Sequence, residues 1–320
     1  MAPLHADETS QKSHLFTNLS EHPVANGEGE DIEAREIDDE TVFVPSDTDT
    51  GALSERFRVE RRSAFNPYVI TAHKHNFVLP VSYSSRLHEE IYQQNDVRLR
   101  EGLRPLEVIF QISLKNQLNQ SNLLFAEDAL SLGITLEAWW QLYSDDISSP
   151  FRETNYQPEI FYMAPLPWGP FGGRTAVIVG LEHQSNGQVQ GLSRSWNRIY
   201  TTLVYENGPL VASIRPWYRL PEKRKSSPEE PDGDDNPDIL DYMGHGELSV
   251  AWKDQTFEYG LQLRGNTNTG KGAIELGLTF PFFAGFRGFV QYFNGYGESL
   301  IDYDHFQQRL GVGVALTTLY

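Results

Sequence analysis

The chain has no cysteine, so it can form neither a disulfide framework nor a thiolate metal site. Cysteine avoidance suits an oxidising compartment such as the periplasm or a cell surface. Basic residues are scarce: 26 Lys and Arg stand against 44 Asp and Glu, for a formal charge of −18. A general nucleic-acid binder would carry a basic footprint, so nucleic acid is not an expected partner. No apolar run reaches the roughly 18 residues that a transmembrane helix needs. A membrane β-barrel escapes that test, because its strands alternate and their mean hydropathy is low. The first residues, Met1-Ala-Pro-Leu-His-Ala-Asp7, show neither a basic start nor an apolar core, so no signal peptide is expected there. Two hydrolase signatures are also missing. No Gly-x-Ser-x-Gly elbow surrounds a serine of interest, and without His-Glu-x-x-His zinc hydrolysis has no foothold.

What is present divides in two. Residues 1–56 hold fourteen Asp and Glu against three Lys and Arg, among many Thr, Ser, Gly and Asn. Such a composition buries too little apolar surface to order itself. The spacing predicts a largely flexible acidic arm over 1–64, with a short docking segment at Thr41–Pro45, and a folded domain over 65–320.

From residue 65 the chain becomes a series of alternating segments separated by turn residues. Leu130, Leu132, Ile134, Leu136, Ala138, Trp140 and Leu142 share one face, against Ser131, Gly133, Thr135, Glu137, Trp139 and Gln141. About twelve strands are expected, at 75–83, 106–115, 130–143, 157–164, 175–185, 196–206, 209–218, 246–253, 256–264, 273–280, 286–293 and 307–320. Several run ten to fourteen residues, longer than the roughly 5–6 usual in globular sheets and near the roughly 9–11 that cross a bilayer. Long polar connections such as 221–238 alternate with tight ones such as Asn207-Gly208, as in outer-membrane barrels. The last segment alternates up to an aromatic terminus, Tyr320, which resembles the C-terminal signal of bacterial outer-membrane proteins. The fold class predicted is all-β, a twelve-stranded antiparallel transmembrane β-barrel; a large soluble β-barrel or sandwich shows the same periods but leaves the longer strands and the wide Trp and Tyr usage without an explanation.

The chemistry centres on Val177-Ile-Val-Gly-Leu-Glu-His-Gln-Ser-Asn-Gly187 and Ser193-Arg-Ser-Trp-Asn-Arg-Ile-Tyr200. Side chains alternate with period two along a strand, so His183 and Ser185 continue the apolar face of Val177, Val179 and Leu181. A hairpin turning near residue 190 sets Asn197 opposite His183. A hydroxyl, an imidazole and an amide then meet on an apolar face, where a nucleophile, its base and an orienting group would serve. A neutral amide suits a low-dielectric site better than a carboxylate, but it stabilises an imidazolium less. Spacing alone also allows these residues simply to end a strand among headgroups and water. Asp232-Gly-Asp-Asp-Asn-Pro-Asp238 is an acidic loop without EF-hand order, and reads as solvated.

Glu182-His-Gln-Ser-Asn-Gly187 with Ser193-Arg-Ser-Trp-Asn-Arg198 closely resembles the signature of the bacterial outer-membrane phospholipase A family. The resemblance extends to Ser148-Ser-Pro-Phe-Arg-Glu-Thr-Asn-Tyr156, Asp235-Asn-Pro-Asp238 and Gly295-Tyr-Gly-Glu-Ser-Leu-Ile-Asp-Tyr303. It implies a phospholipase A1/A2 of the outer membrane that hydrolyses acyl esters of (lyso)phospholipids and works as a calcium-bound homodimer. In that light Ser185 is the nucleophile, His183 its base and Asn197 the orienter. The resemblance also implies Ca2+ ligands at Ser193 and at the backbone carbonyl of Gln188, with a carbonyl at Ser148 supplied by the partner. Gln188 departs from the arginine expected at its position, a change that a carbonyl ligand tolerates. The rival reading is a non-catalytic barrel or porin, with Glu107, Lys115, Glu137, Glu182, Arg198, Glu206, Arg264 and Glu275 facing a lumen of mixed charge.

Overall fold

A computed structural model describes residues 70–317, apart from 96–98, 100, 101, 189, 228, 229, 231 and 232. The expected arm over 1–64, its Thr41–Pro45 segment and Tyr320 lie outside the described residues.

Twelve strands follow one another in chain order: β1 (Phe77–Ser84), β2 (Leu106–Gln117), β3 (Ala129–Trp140), β4 (Phe151–Leu166), β5 (Arg174–Ser185) and β6 (Ser195–Asn207). The second half comprises β7 (Leu210–Arg219), β8 (Gly246–Lys253), β9 (Glu258–Asn266), β10 (Lys271–Pro281), β11 (Arg287–Tyr296) and β12 (Phe306–Ala315). Each pairs antiparallel with its neighbours in sequence, and β12 pairs with β1 to close the sheet. Closure removes the unpaired backbone edges that lipid could not satisfy. The expected strands are all present. β4 begins at Phe151, six residues before its expected start, because the segment 151–156 pairs with the end of β3 although its residues are mostly polar.

The two faces sort as alternation requires. Val179 (45 % exposed), Leu181 (48 %), Ile199 and Leu203 point outward, as do Leu132, Ile134, Leu310 and Val312. The opposite parity is buried inside and is largely polar: Glu107, Ser113, Thr135, Glu159, Glu182, Arg198 and Arg309. This inversion, apolar outside and polar inside, is what a bilayer selects.

The interior is filled rather than open. A two-residue strand, Thr71–Ala72, continues the edge of β1 along β2, and between them His73–Asn76 bulges inward. His73 stacks on Phe161 at 4.8 Å, and Lys74 Nζ reaches Glu159 at 2.9 Å and Glu182 at 3.5 Å. Arg215 joins Glu182 at 2.6 Å, and Arg198 pairs with the same carboxylate. One mouth is capped by helix α2 (Ile239–Met243), which lies against β9 and β10, the first helix, α1 (Glu89–Asn95), lying in the β1–β2 connection. Ile239 and Met243 pack against Trp196, Trp217, Leu300 and Tyr303.

Candidate active site

The site stands on β5 and β6, whose register is Glu182↔Arg198, His183↔Asn197, Gln184↔Trp196 and Ser185↔Ser195. The opposition of His183 and Asn197 expected from the sequence is therefore present. On the inner face Gly180 lies opposite Tyr200, and a Cβ at 180 would come within 2.6 Å of that ring. Only glycine leaves room for Tyr200, whose hydroxyl donates to Glu159. Gln184 Oε1 accepts from Trp196 Nε1 at 2.8 Å, and the Arg198 guanidinium lies 3.9 Å from the Trp196 ring centroid. The inner face thus fixes the register that the outer face uses.

On the outer face His183 Nδ1 and Asn197 Oδ1 are 2.9 Å apart. The amide oxygen can only accept, so this ring nitrogen is the donor, and in the neutral ring Nε2 is the acceptor. Ser185 continues the same face one strand repeat beyond His183. Of the three expected site residues, His183 and Asn197 are hydrogen-bonded to each other, while the Ser185 hydroxyl makes no such contact with the imidazole. In sites without substrate this contact is commonly loose and tightens when the reacting group arrives.

One residue at this site escaped the sequence reading. Asn197 Nδ2 donates to Glu222 Oε1 at 3.1 Å, and Leu220 N donates to Asn197 O at 2.8 Å. The signal was available: the tight Asn207-Gly208 turn, with Gly208 at φ +55°, pairs Asn207 with Leu210 and carries the register up to Arg198↔Arg219. That register brings the residues just past β7 alongside Asn197.

The connection 186–194 is tied together by Asn186. Its Oδ1 accepts from Arg194 N at 2.9 Å and Gln188 N at 3.3 Å, and its Nδ2 donates to Leu192 O at 2.8 Å. Ser193 Oγ donates to Asp235 Oδ2 at 2.6 Å, and Lys225 Nζ pairs with the other oxygen of that carboxylate. Of the three expected ligand positions, Gln188 and Ser193 share this connection. Ser148 lies on the separate β3–β4 loop, exposed, with a left-handed backbone at φ +58°. Among the described residues no cluster of three or more His, Asp or Glu could hold a metal, so a cation here would rely on hydroxyl, carbonyl and single carboxylate oxygens. Calcium takes that donor set.

The model of the Phospholipase A1 family matches residues 53–316. The chain belongs to this family. Phospholipase A1 of Escherichia coli K12 is 38 % identical over 257 residues, which cover 80 % of this chain and 84 % of that protein. The solved outer membrane phospholipase A of Escherichia coli superposes with a TM-score of 0.72 at 37 % identity, over 80 % of this chain and 94 % of that one. A further structure of that protein is an asparagine-to-alanine active-site mutant. The Salmonella typhi outer membrane phospholipase, solved as a dimer with bound calcium, gives 0.72 at 36 % identity, over 80 % and 95 % of the two chains. The protein is an enzyme, a phospholipase A1 built on a twelve-stranded barrel.

His183, Ser185 and Asn197 all face the outer wall of the barrel. An ester held within a bilayer leaflet meets the outer wall of a barrel, whereas the lumen here is occupied by charge. The site is also buttressed from the β11–β12 connection. Burial and the 2.7 Å hydrogen bond to Asp238 push the Tyr303 phenol up, so it stays a donor, and Arg194 from the 186–194 connection lies over its ring at 5.7 Å.

Proposed function

We propose that this phospholipase A1 works in the bacterial outer membrane as a calcium-dependent hydrolase of acyl esters in (lyso)phospholipids, through Ser185, His183 and Asn197, and that dimerisation activates it. The observation that carries the reading is the 2.9 Å His183–Asn197 hydrogen bond on the lipid-facing side of the barrel. The active-site asparagine of the Escherichia coli structure supports the role of Asn197. The calcium-bound dimer of the Salmonella typhi protein supports the metal and the second copy. The membrane is the substrate's source, and nothing in a chain of charge −18 favours nucleic acid.

The chemistry follows from the side chains. Ser185 Oγ attacks the ester carbonyl carbon as its proton passes to His183 Nε2. Asn197 holds Nδ1–H and so keeps Nε2 aimed at the hydroxyl. His183 then returns the proton to the departing alcohol as the C–O bond breaks, leaving an acyl ester on Ser185. A water deprotonated by His183 attacks that ester, and the fatty acid leaves as Ser185 recovers its proton. Ser193 and the Gln188 carbonyl, with Ser148 of the partner subunit, would hold the calcium, which when bound supplies positive charge for the oxyanion. That charge offsets what a neutral Asn197 lacks.

A convex barrel wall offers no groove for an acyl chain, so a second barrel must wall one. A passive porin is the rival, and the charge-filled lumen speaks against it. The test is fatty-acid release from phospholipid in mixed micelles, with calcium and with chelator, for wild type and Ser185→Ala. Calcium-dependent release that vanishes in the variant is expected, with activity per chain rising with dimer content. Undiminished release by Ser185→Ala would move the nucleophile elsewhere. Activity independent of protein concentration would remove the dimer from the account.

A further inference from the structure

We propose that Glu222 is a positioning residue of this active site: its carboxylate fixes the orientation of the Asn197 amide and, through it, the tautomer of His183. The proposal rests on the triad reading above and adds a fourth member to it.

A side-chain amide has an oxygen and a nitrogen of nearly equal size, and nothing in its shape decides which points where. The partners decide. If Asn197 turned its NH2 toward His183, Nδ1 would accept, the proton would sit on Nε2, and the base would be blocked. An ionised carboxylate accepts and never donates. Glu222 Oε1 lies 3.1 Å from Asn197 Nδ2, so only the amide NH2 can face it. The amide oxygen is thereby turned to His183 Nδ1, 2.9 Å away, and Nε2 is left to take the serine proton. A negative charge also ends one hydrogen bond beyond the neutral asparagine, which answers the charge that Asn lacks relative to Asp.

The carboxylate is held in place from its own side. Leu220 N bonds Asn197 O at 2.8 Å, which continues the β6–β7 ladder past its last paired residues. Pro221 follows and restricts the backbone. Arg219, next to Leu220, is anchored to Asp234 at 2.5 Å and to Asn236 O at 3.1 Å. Glu222 leaves the sheet at a fixed point beside the amide it contacts. It belongs to the 220–245 connection rather than to the strands bearing the triad.

The test is kinetic, on the full-length enzyme in mixed micelles at saturating calcium, with Glu222→Ala, Glu222→Gln and Glu222→Lys alone and in an Asn197→Ala background. Glu222→Ala should lower kcat about ten-fold, the loss of one charge-assisted hydrogen bond, with KM within about two-fold. Glu222→Gln keeps an accepting oxygen and should recover most of the rate. Glu222→Lys, which only donates, should turn the amide the wrong way and fall below Glu222→Ala. In the Asn197→Ala background all three changes should be silent, because Glu222 acts only through that amide. Equal activity of wild type, Glu222→Ala and Glu222→Lys would overturn the proposal. So would a loss of the same size with Asn197 absent, which would mark a merely structural role. Ser185→Ala, assayed alongside, separates the two layers. If it stays active the triad reading fails, and if it is dead while Glu222→Ala is intact only the positioning role fails.

Discussion

Gln184 and Trp196 clasp one another inside the barrel, Trp196 Nε1 to Gln184 Oε1 at 2.8 Å, one residue along from the His183–Asn197 pair on the outside. The two pairs share one register, and slipping it by a residue would exchange the faces of every side chain on the strand. Trp196 is fully buried. Gln184→Ala should leave the indole N–H unpaired and cost about 1–3 kcal/mol, with a parallel fall in kcat although the residue never touches substrate. Urea unfolding followed beside ester hydrolysis checks both effects.

Val179 sits midway along β5 and faces outward. If that face meets hydrocarbon, Val179→Arg should cost about 2–4 kcal/mol in equilibrium folding into lipid vesicles. An unchanged folding equilibrium would mean that this face does not meet lipid.

The His73–Asn76 bulge and the Lys74, Arg215 and Arg198 pairings occupy the lumen, leaving a cavity of about 410 Å³ lined in part by Glu137, Gln262 and Glu275. Protein in planar bilayers should show no stable conductance steps. Replacing His73-Lys74-His75 with Gly-Ser-Gly should introduce them, and porin-like conductance of the wild type would contradict the closed interior.

Lys225 pairs with the carboxylate that accepts from Ser193, a proposed calcium ligand. A cation at that spot opposes another, so Lys225→Ala should lower the half-saturating calcium concentration about five-fold, the upper range for a partly exposed pair. Calcium titration of micellar hydrolysis reads it directly.

Asp302, in the β11–β12 connection, is buried, and burial works against its ionisation. The Arg152 guanidinium 2.8 Å away, with His88 and Ser299 beside it, nevertheless holds the carboxyl well below the usual carboxylate range. The folded value lies below the unfolded one of about 3.9. Its contribution to stability is therefore complete above about pH 5 and is lost as pH falls through the folded value. Asp302→Asn should cost about 3–5 kcal/mol at neutral pH, because Arg152 loses a buried partner, and should flatten the acid limb of the unfolding profile.

The sequence by itself determined the barrel, the faces of its strands and the opposition of His183 to Asn197, because strand alternation is a local rule of period two and a hairpin centred near residue 190 sets the two runs against each other. It did not show that β4 begins at Phe151, since 151–156 is mostly polar and becomes strand by pairing with β3. Nor did it single out Glu222, one carboxylate in a long polar connection, until β7 ended beside Asn197. The filling of the lumen belongs to the same class: His73, Lys74, Glu159, Glu182 and Arg215 come from four separate parts of the chain. Only closure of the sheet brings them into one low-dielectric space, where each charge must find an opposite one. Alternation is written residue by residue, whereas partnership across a closed barrel is decided by the tertiary fold.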